Sequence, residues 1–298
     1  MEIEGILYRE RSSAETKNSK EERLMLDQAK ALIFDLDGTL YEDTNHFVYY
    51  ANLLKKKLKE ENRPLFETDY KSIRNREHPL AIGKVYNRTH DAIISVDPFT
   101  NLAIRVETWS GDQWPERKVW KHFPDPLIYD FIDHIAIGDG WWLPFSAAMH
   151  YGVTSEDARE CYVATKDYMG SDEFQLTETK GLKTSLLLWK KTKPLILVTN
   201  SEGYDVDRIL KAIDLEGIFK EIVSNAEKPV RTEDIFQQVL HNYRLKPEEI
   251  VSIGDNFMNE IAPALEMGMK GIYIQSNDLP FSHPNLKVIK SLEELCTK

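Results

Sequence analysis

The stretch ALIFDLDGTL, residues 31–40, indicates the fold of this chain more clearly than any other segment. It begins with four apolar residues and continues into a polar turn that contains Gly38. A short, fully apolar run that ends at such a turn is typical of a buried strand in a parallel sheet. We therefore predict a first strand that ends at residue 34, with Asp35 and Asp37 directly after it.

Beyond residue 180 the chain alternates short apolar runs with helical stretches. This alternation is typical of a parallel sheet covered by helices. The apolar runs are residues 195–198, 222–223, 250–253 and 271–274. The predicted helices are residues 181–191, 204–214, 232–242 and 257–267, the last closed by Gly268. With the first strand, the pattern predicts a Rossmann-like α/β core with five parallel strands and helices on both faces.

The stretch 45–178 lacks this rhythm. It holds five of the six tryptophans and a predicted β-hairpin, with strands at 92–96 and 102–109 around a turn at 97–101. We predict that it is a mainly helical second domain, inserted into the core.

The core would then consist of residues 29–44 and 179–298. Residues 1–28 are polar and charged and offer little apolar surface to bury. We predict that they form an N-terminal extension.

The composition excludes several classes of protein. With 42% hydrophobic and 29% charged residues among 298, the chain is typical of a globular protein of about two domains. Its net charge of −11 disfavours a nucleic-acid partner, and no apolar run is long enough to span a membrane. Two cysteines and an acidic N-terminus favour a reduced, cytoplasmic protein.

Polar side chains follow four of the five predicted strands at the edge where ligands bind in open α/β sheets. They are Asp35 and Asp37 after the first strand, Thr199, Asn200 and Ser201 after the second, Lys228 beyond the third, and Asp255 and Asn256 after the fourth. An Asp after a strand is also a common turn or cap residue, so each position alone leaves its role open. Together, three carboxylates converging on one edge would repel one another, which predicts a bound divalent cation such as Mg²⁺.

These motifs resemble those of the haloacid dehalogenase (HAD) superfamily. Residues 35–40 resemble its first motif, Thr199 with Asn200 its second, Lys228 with Pro229 its third, and residues 254–260 its fourth. The resemblance covers residues 31–44 and about 179–275. The insert corresponds only in position to the first-type cap of the family.

The resemblance implies a role for each motif residue. Asp35 would be the nucleophile and Asp37 the general acid/base. Thr199, the backbone N–H of Asn200 and Lys228 would bind the phosphoryl group, and Asp35, Asp255 and the backbone carbonyl of Asp37 would bind Mg²⁺.

The fourth motif departs from the family pattern. Many members carry a second Asp where this chain has Glu260. Three roles stay open for Glu260: a metal contact through water, orientation of Lys228, or a helix residue without a catalytic role. Asn256 is open in the same way, either near the metal or as the N-cap of the following helix.

We therefore expect an Mg²⁺-dependent phosphomonoester hydrolase that acts on a small phosphorylated metabolite. A phosphomutase, a haloacid dehalogenase and a catalytically silent binding module are the alternatives. Asp37 argues against the dehalogenase, which typically lacks the second carboxylate. The sequence sets neither the substrate nor the oligomeric state.

Overall fold

The computed structural model describes residues 22–171, 173–275 and 281–296 and divides into two compact units. Within these residues, the first unit comprises the chain up to Glu42, Thr177–Asp255 and the chain from Pro263 onward. The second comprises Asp43–Leu176 and Asn256–Ala262. None of the helices in the described ranges is long and apolar enough to cross a lipid bilayer.

The strands are numbered in chain order through both units. They are β1 (Ala31–Phe34), β2 (Lys84–Asn87), β3 (Ala92–Val96), β4 (Ala103–Thr108), β5 (His134–Ala136), β6 (Leu195–Val198), β7 (Glu221–Val223), β8 (Ile250–Gly254), β9 (Lys270–Ile274) and β10 (Leu286–Ile289).

The helices are numbered in the same way. They are α1 (Asn45–Lys57), α2 (Arg63–Arg74), α3 (Glu116–His122), α4 (Trp142–His150), α5 (Ser155–Met169), α6 (Leu182–Lys190), α7 (Gly203–Ala212), α8 (Thr232–Tyr243) and α9 (Ala262–Glu266). Residues 22–28 are also helical, and Phe257–Ile261 form a π-helical turn directly before α9.

The first unit is built on a parallel sheet in the order β10-β9-β8-β1-β6-β7. The central strand β1 has Phe34 opposite Leu197 of β6 and opposite Ile253 of β8. From β1 the chain first continues outward through β6 and β7, and it then crosses to the other side of β1 to form β8, β9 and β10. This reversal of strand order opens a crevice at the carboxyl ends of β1, β6 and β8.

The predicted α/β fold is confirmed, but the sheet has six strands within the described residues where five were predicted. The missed strand is β10, in which only Leu286 and Ile289 are buried. The predicted strands β1, β6 and β8 are buried along their whole length and therefore read as continuous apolar runs. A strand at the edge of the sheet that is half exposed gives no such signal.

The second unit contains an antiparallel sheet in the order β4-β3-β2-β5. The predicted hairpin is present as β3 and β4, and Asp97 closes its turn by accepting the N–H groups of Phe99 and Thr100. The prediction underestimated the β content, because β2 and β5 extend this hairpin to four strands.

The bounds of the second unit differ from the predicted insert, 45–178. The unit also includes the π-helical turn. Met258 packs in the apolar core of the unit, and the ring centroids of Phe257 and Phe99 lie 5.9 Å apart. That residues 45–178 form a separately folding cap stays a prediction.

The predicted N-terminal extension needs a correction. Residues 1–21 lie outside the described residues, but 22–28 are helical, with Met25 and Leu26 buried. The ammonium of Lys193 donates to the backbone carbonyl of Leu26. These seven residues belong to the first unit, and sequence reasoning missed them because only three of the seven are apolar.

We expect Leu26→Ala to lower the free energy of unfolding by about 2–5 kcal/mol, as for other truncations of buried leucines. Leu24→Ala, on the exposed face of the same helix, should change it by less than about 0.5 kcal/mol. Leu26 is 1% exposed and Leu24 is 55% exposed. Urea unfolding followed by circular dichroism compares the two variants, and equal effects would show that the helix is not packed on the unit.

Candidate functional site

The site is organised around a buried ion pair between Asp35 and Lys228. Asp35 directly follows β1, and its Oδ1 accepts a hydrogen bond from Lys228 Nζ at 2.7 Å. The same ammonium donates to the backbone carbonyl of Val198, the last residue of β6, at 2.9 Å. Burial raises the pKa of Asp35, and the neighbouring ammonium opposes that rise. The structure thus joins two predicted site residues that lie 193 positions apart.

Asn200 fixes the position of Lys228. Its side-chain oxygen accepts the backbone N–H of Lys228 at 2.7 Å, and its side-chain nitrogen donates to the backbone carbonyl of Lys228 at 3.0 Å. Two hydrogen bonds between one amide and one residue restrain both. The sequence predicted a role for the backbone of Asn200 and missed this role of its side chain.

Thr199 lies at the end of β6, as predicted. It is 1% exposed, and its backbone N–H donates to the carbonyl of Val223 at 2.9 Å. Its hydroxyl oxygen accepts the backbone N–H of Ser201 at 3.1 Å. Because a hydroxyl can accept and donate at once, this contact leaves the proton of Thr199 able to donate to a ligand.

Asp37 lies in the turn after β1, where hydroxyl groups hold its carboxylate. Tyr41 donates to its Oδ1, and Ser201 Oγ donates to its Oδ2 at 2.8 Å. Sequence analysis gave no role to either hydroxyl. Ser201 follows Thr199 in the polar run and was visible as a candidate, whereas no pattern marked Tyr41.

The expected convergence of three carboxylates is not seen. Across residues 22–171, 173–275 and 281–296, no three Asp, Glu, His or Cys side chains form a group that would hold a metal ion. The carboxylate of Asp37 is directed to hydroxyls instead. A metal contact through the backbone carbonyl of Asp37, which the motif resemblance implied, stays a prediction.

Asp255 follows β8 and lies against the turn that contains Gly38. Gly38 has a φ of +75°, and a Cβ at this position would lie 2.1 Å from Asp255 Oδ2. Only glycine combines this backbone conformation with such a close approach. Because Gly38 has no side chain, the Asp255 carboxylate can lie against the backbone of Gly38, which directly follows Asp37.

Asn256 and Glu260 belong to the second unit and cap its π-helical turn. Asn256 Oδ1 accepts the N–H of Asn259 at 3.1 Å, and Glu260 Oε2 accepts the N–H of Asn256 at 3.0 Å. This reciprocal pattern resembles a capping box, except that the returning carboxylate lies four rather than three residues after the N-cap. It supports the N-cap prediction for Asn256 and gives Glu260 a structural function, while a metal contact for either residue stays a prediction.

Comparison with known proteins places this chain in a family. A profile described as haloacid dehalogenase-like hydrolase matches residues 29–268. None of the curated proteins compared with the chain matches it.

Solved structures resemble the chain at low identity. A putative HAD-hydrolase, YfnB from Bacillus subtilis bound to magnesium, is 17% identical, with a TM-score of 0.50 and coverage of 90% of this chain and 96% of that one. A predicted phosphoglycolate phosphatase from Haemophilus somnus is 18% identical, with a TM-score of 0.44 and coverage of 83% and 85%. A 2-haloacid dehalogenase from Pseudomonas syringae is 16% identical, with a TM-score of 0.43 and coverage of 90% and 96%.

The family profile spans most of the chain, and the residues of the motifs lie at the carboxyl ends of β1, β6 and β8 and in the loop after β7. The chain belongs to the haloacid dehalogenase-like hydrolases.

Proposed function

We propose that this hydrolase cleaves phosphomonoesters of small metabolites in an Mg²⁺-dependent reaction, through an aspartyl-phosphate on Asp35. The observation that carries the proposal is the buried pair of Asp35 and Lys228. An ammonium held beside a carboxylate nucleophile can bind the negatively charged group that the nucleophile attacks. Thr199 adds a hydroxyl at the end of the neighbouring strand.

Two displacements follow from these residues. In the first, an Asp35 oxygen bonds to phosphorus, the bond from phosphorus to the alcohol oxygen breaks, and Asp37 gives its proton to the departing alcohol. In the second, water bonds to phosphorus, the bond to Asp35 breaks, and Asp37 takes the proton of the water. Lys228, the Thr199 hydroxyl and the Asn200 N–H bind the phosphoryl oxygens throughout.

The donor set at the strand ends fits a magnesium ion. Carboxylate and carbonyl oxygens are the ligands that Mg²⁺ prefers, and Asp35, Asp255 and the carbonyl of Asp37 would supply them. The close approach of Asp255 to the backbone of Gly38 supports this grouping. When bound, Mg²⁺ supplies positive charge that offsets the charge of these carboxylates and of the transferring phosphoryl group.

Other activities use the same nucleophile. Dehalogenation needs no group that protonates an alcohol, so the presence of Asp37 favours phosphate esters. A phosphomutase would pass the phosphoryl group from Asp35 to a second hydroxyl, and a silent binding module would need none of these contacts. The joint presence of Asp35, Asp37 and Lys228 in one site favours an enzyme over that module.

The surroundings that we propose are those of a cytoplasmic enzyme. Cys161 and Cys296 are free and buried, which suits a reducing compartment. The net charge of −11 disfavours a nucleic acid as partner. A small phosphorylated substrate is also negatively charged, so its binding needs a local cation. Lys228 and the proposed Mg²⁺ would provide that positive charge.

We expect purified protein to release phosphate from at least one ester in a panel of sugar phosphates, nucleotides and phosphorylated acids. Release should require Mg²⁺ and fall to background in Asp35→Asn. Asp37→Asn should lower kcat by about 10²–10⁴-fold, the usual contribution of a general acid or base. Phosphate is measured colorimetrically, with and without EDTA.

Asp91→Asn is the matched control, because Asp91 is a hydrogen-bonded carboxylate of the second unit. It should retain activity. Release that persists in EDTA or in Asp35→Asn would contradict the mechanism. Halide release from 2-haloacids would instead show a dehalogenase, and phosphate transfer between two hydroxyls of a sugar would show a mutase.

We expect Gly38→Ala to weaken magnesium binding about 10–100-fold, as other changes beside metal ligands do. The new methyl group would displace the Asp255 carboxylate. Gly217→Ala is the matched control, because Gly217 has a φ of +66° but nothing within 4 Å of the added Cβ. The strained backbone should cost both variants about 1–2 kcal/mol of stability.

The measurement is the rise of Tm with MgCl₂ concentration. The wild type and Gly217→Ala should show the same dependence on MgCl₂, and Gly38→Ala should need more MgCl₂ for the same rise. An equal dependence in all three proteins would show that the contact between Gly38 and Asp255 does not shape the metal site.

A further inference from the structure

Two hydroxyl groups hold the Asp37 carboxylate, and no sequence motif marked their role. We propose that Tyr41 and Ser201 are positioning residues that aim Asp37 at the oxygen of the leaving alcohol. This inference rests on the proposed function, in which Asp37 is the general acid for cleavage of a phosphate ester.

The geometry of the contacts favours positioning. Tyr41 donates to one oxygen of the carboxylate and Ser201 to the other, the latter at 2.8 Å. The terminal torsion of an Asp side chain is broad, so a carboxylate held by one contact can still rotate. A donor on each oxygen fixes the plane of the group and its direction.

Both donors are themselves immobilised. Tyr41 is fully buried, and the turn that carries it is closed by the N–H of Leu40 donating to the carbonyl of Leu36 at 2.9 Å. Tyr41 also forms a backbone bridge with Asp37. Its hydroxyl is therefore a fixed point relative to the carboxylate that it contacts.

Ser201 is anchored from the neighbouring strand. It is 5% exposed, its N–H donates to Thr199 Oγ1 at 3.1 Å, and its carbonyl accepts the N–H of Asn225 at 3.0 Å. The carboxylate of Asp37 is thus held between the loop after β1 and the loop after β6. Two rigid supports on separate strand ends define one orientation.

Orientation matters because a general acid must lie within hydrogen-bond reach of the atom that it protonates. An alkoxide is a poor leaving group and needs the proton, whereas an acidic phenol departs without it. A misdirected Asp37 should therefore slow the cleavage of alkyl esters and leave the cleavage of activated aryl esters nearly unchanged. A purely structural role for the two hydroxyls would slow both kinds of ester equally.

The test compares kcat/KM for glycerol 2-phosphate and for 4-nitrophenyl phosphate, since kcat/KM covers the step that releases the alcohol. Tyr41→Phe and Ser201→Ala should each lower kcat/KM for the alkyl ester about 10-fold, part of the 10²–10⁴-fold that proton transfer contributes. For the aryl ester each loss should stay below about threefold, because little proton transfer is needed. In an Asp37→Asn background, neither substitution should cause a further loss.

Matched controls remove the same kinds of hydrogen bond elsewhere. Tyr86 donates to Asp91 at 2.7 Å, and Ser110 donates to Asp112 at 3.1 Å, both in the second unit. Tyr86→Phe and Ser110→Ala should leave the ratio of the two kcat/KM values unchanged. Equal losses on both esters in Tyr41→Phe and Ser201→Ala, or losses that persist without Asp37, would overturn the inference.

Failure of the proposed function would look different, because the wild type would release phosphate from no ester of the panel. Crystal structures of the wild type and of the double variant Tyr41→Phe, Ser201→Ala then decide the positioning role alone. A rotated Asp37 carboxyl group in the double variant supports it, and an unchanged group overturns it.

Discussion

A carboxylate and an ammonium removed from water together are the constraint on which the rest of the site depends. The side chains of Asp35 and Lys228 are 9% and 2% exposed, so neither charge is well solvated. Loss of either partner would leave an uncompensated buried charge, which is far more costly than loss of an exposed pair. Asn200 makes two hydrogen bonds to the backbone of Lys228 and so keeps Lys228 beside Asp35.

The parallel sheet makes this pair possible across a long separation in sequence. Its central strand has β8 on one side and β6 on the other, so residues that follow three strands reach one edge. Asp35, Thr199 and Asp255 each come directly after a strand. These residues therefore reach one edge of the sheet without long loops, and short connections after strands hold functional groups more rigidly than long loops do.

Much of this arrangement was predictable because buried parallel strands leave a strong signal. Continuous apolar runs located β1, β6 and β8, and the polar residues after them indicated the site. The half-exposed strand β10 and the helix at 22–28 gave no comparable signal. The hydroxyl contacts of Asp37 depend on which way a turn directs its side chain, and that direction has no periodicity in sequence.

The two carboxylates after β1 differ in the kind of donor that faces them, and this difference suits the two roles that we propose. Asp35 faces an ammonium, which donates hydrogen bonds and never accepts them at neutral pH. Burial raises the pKa of Asp35, and the ammonium opposes that rise, which favours the ionised form that a nucleophile needs. Asp37 is half-buried and faces neutral hydroxyls, which donate or accept in turn. A hydroxyl can therefore remain bonded to Asp37 whether or not Asp37 carries a proton. The two aspartates thus differ in their surroundings, because Asp35 meets a fixed charge and Asp37 meets hydroxyls that can reorient. This difference suits the nucleophilic and acid/base roles that we propose.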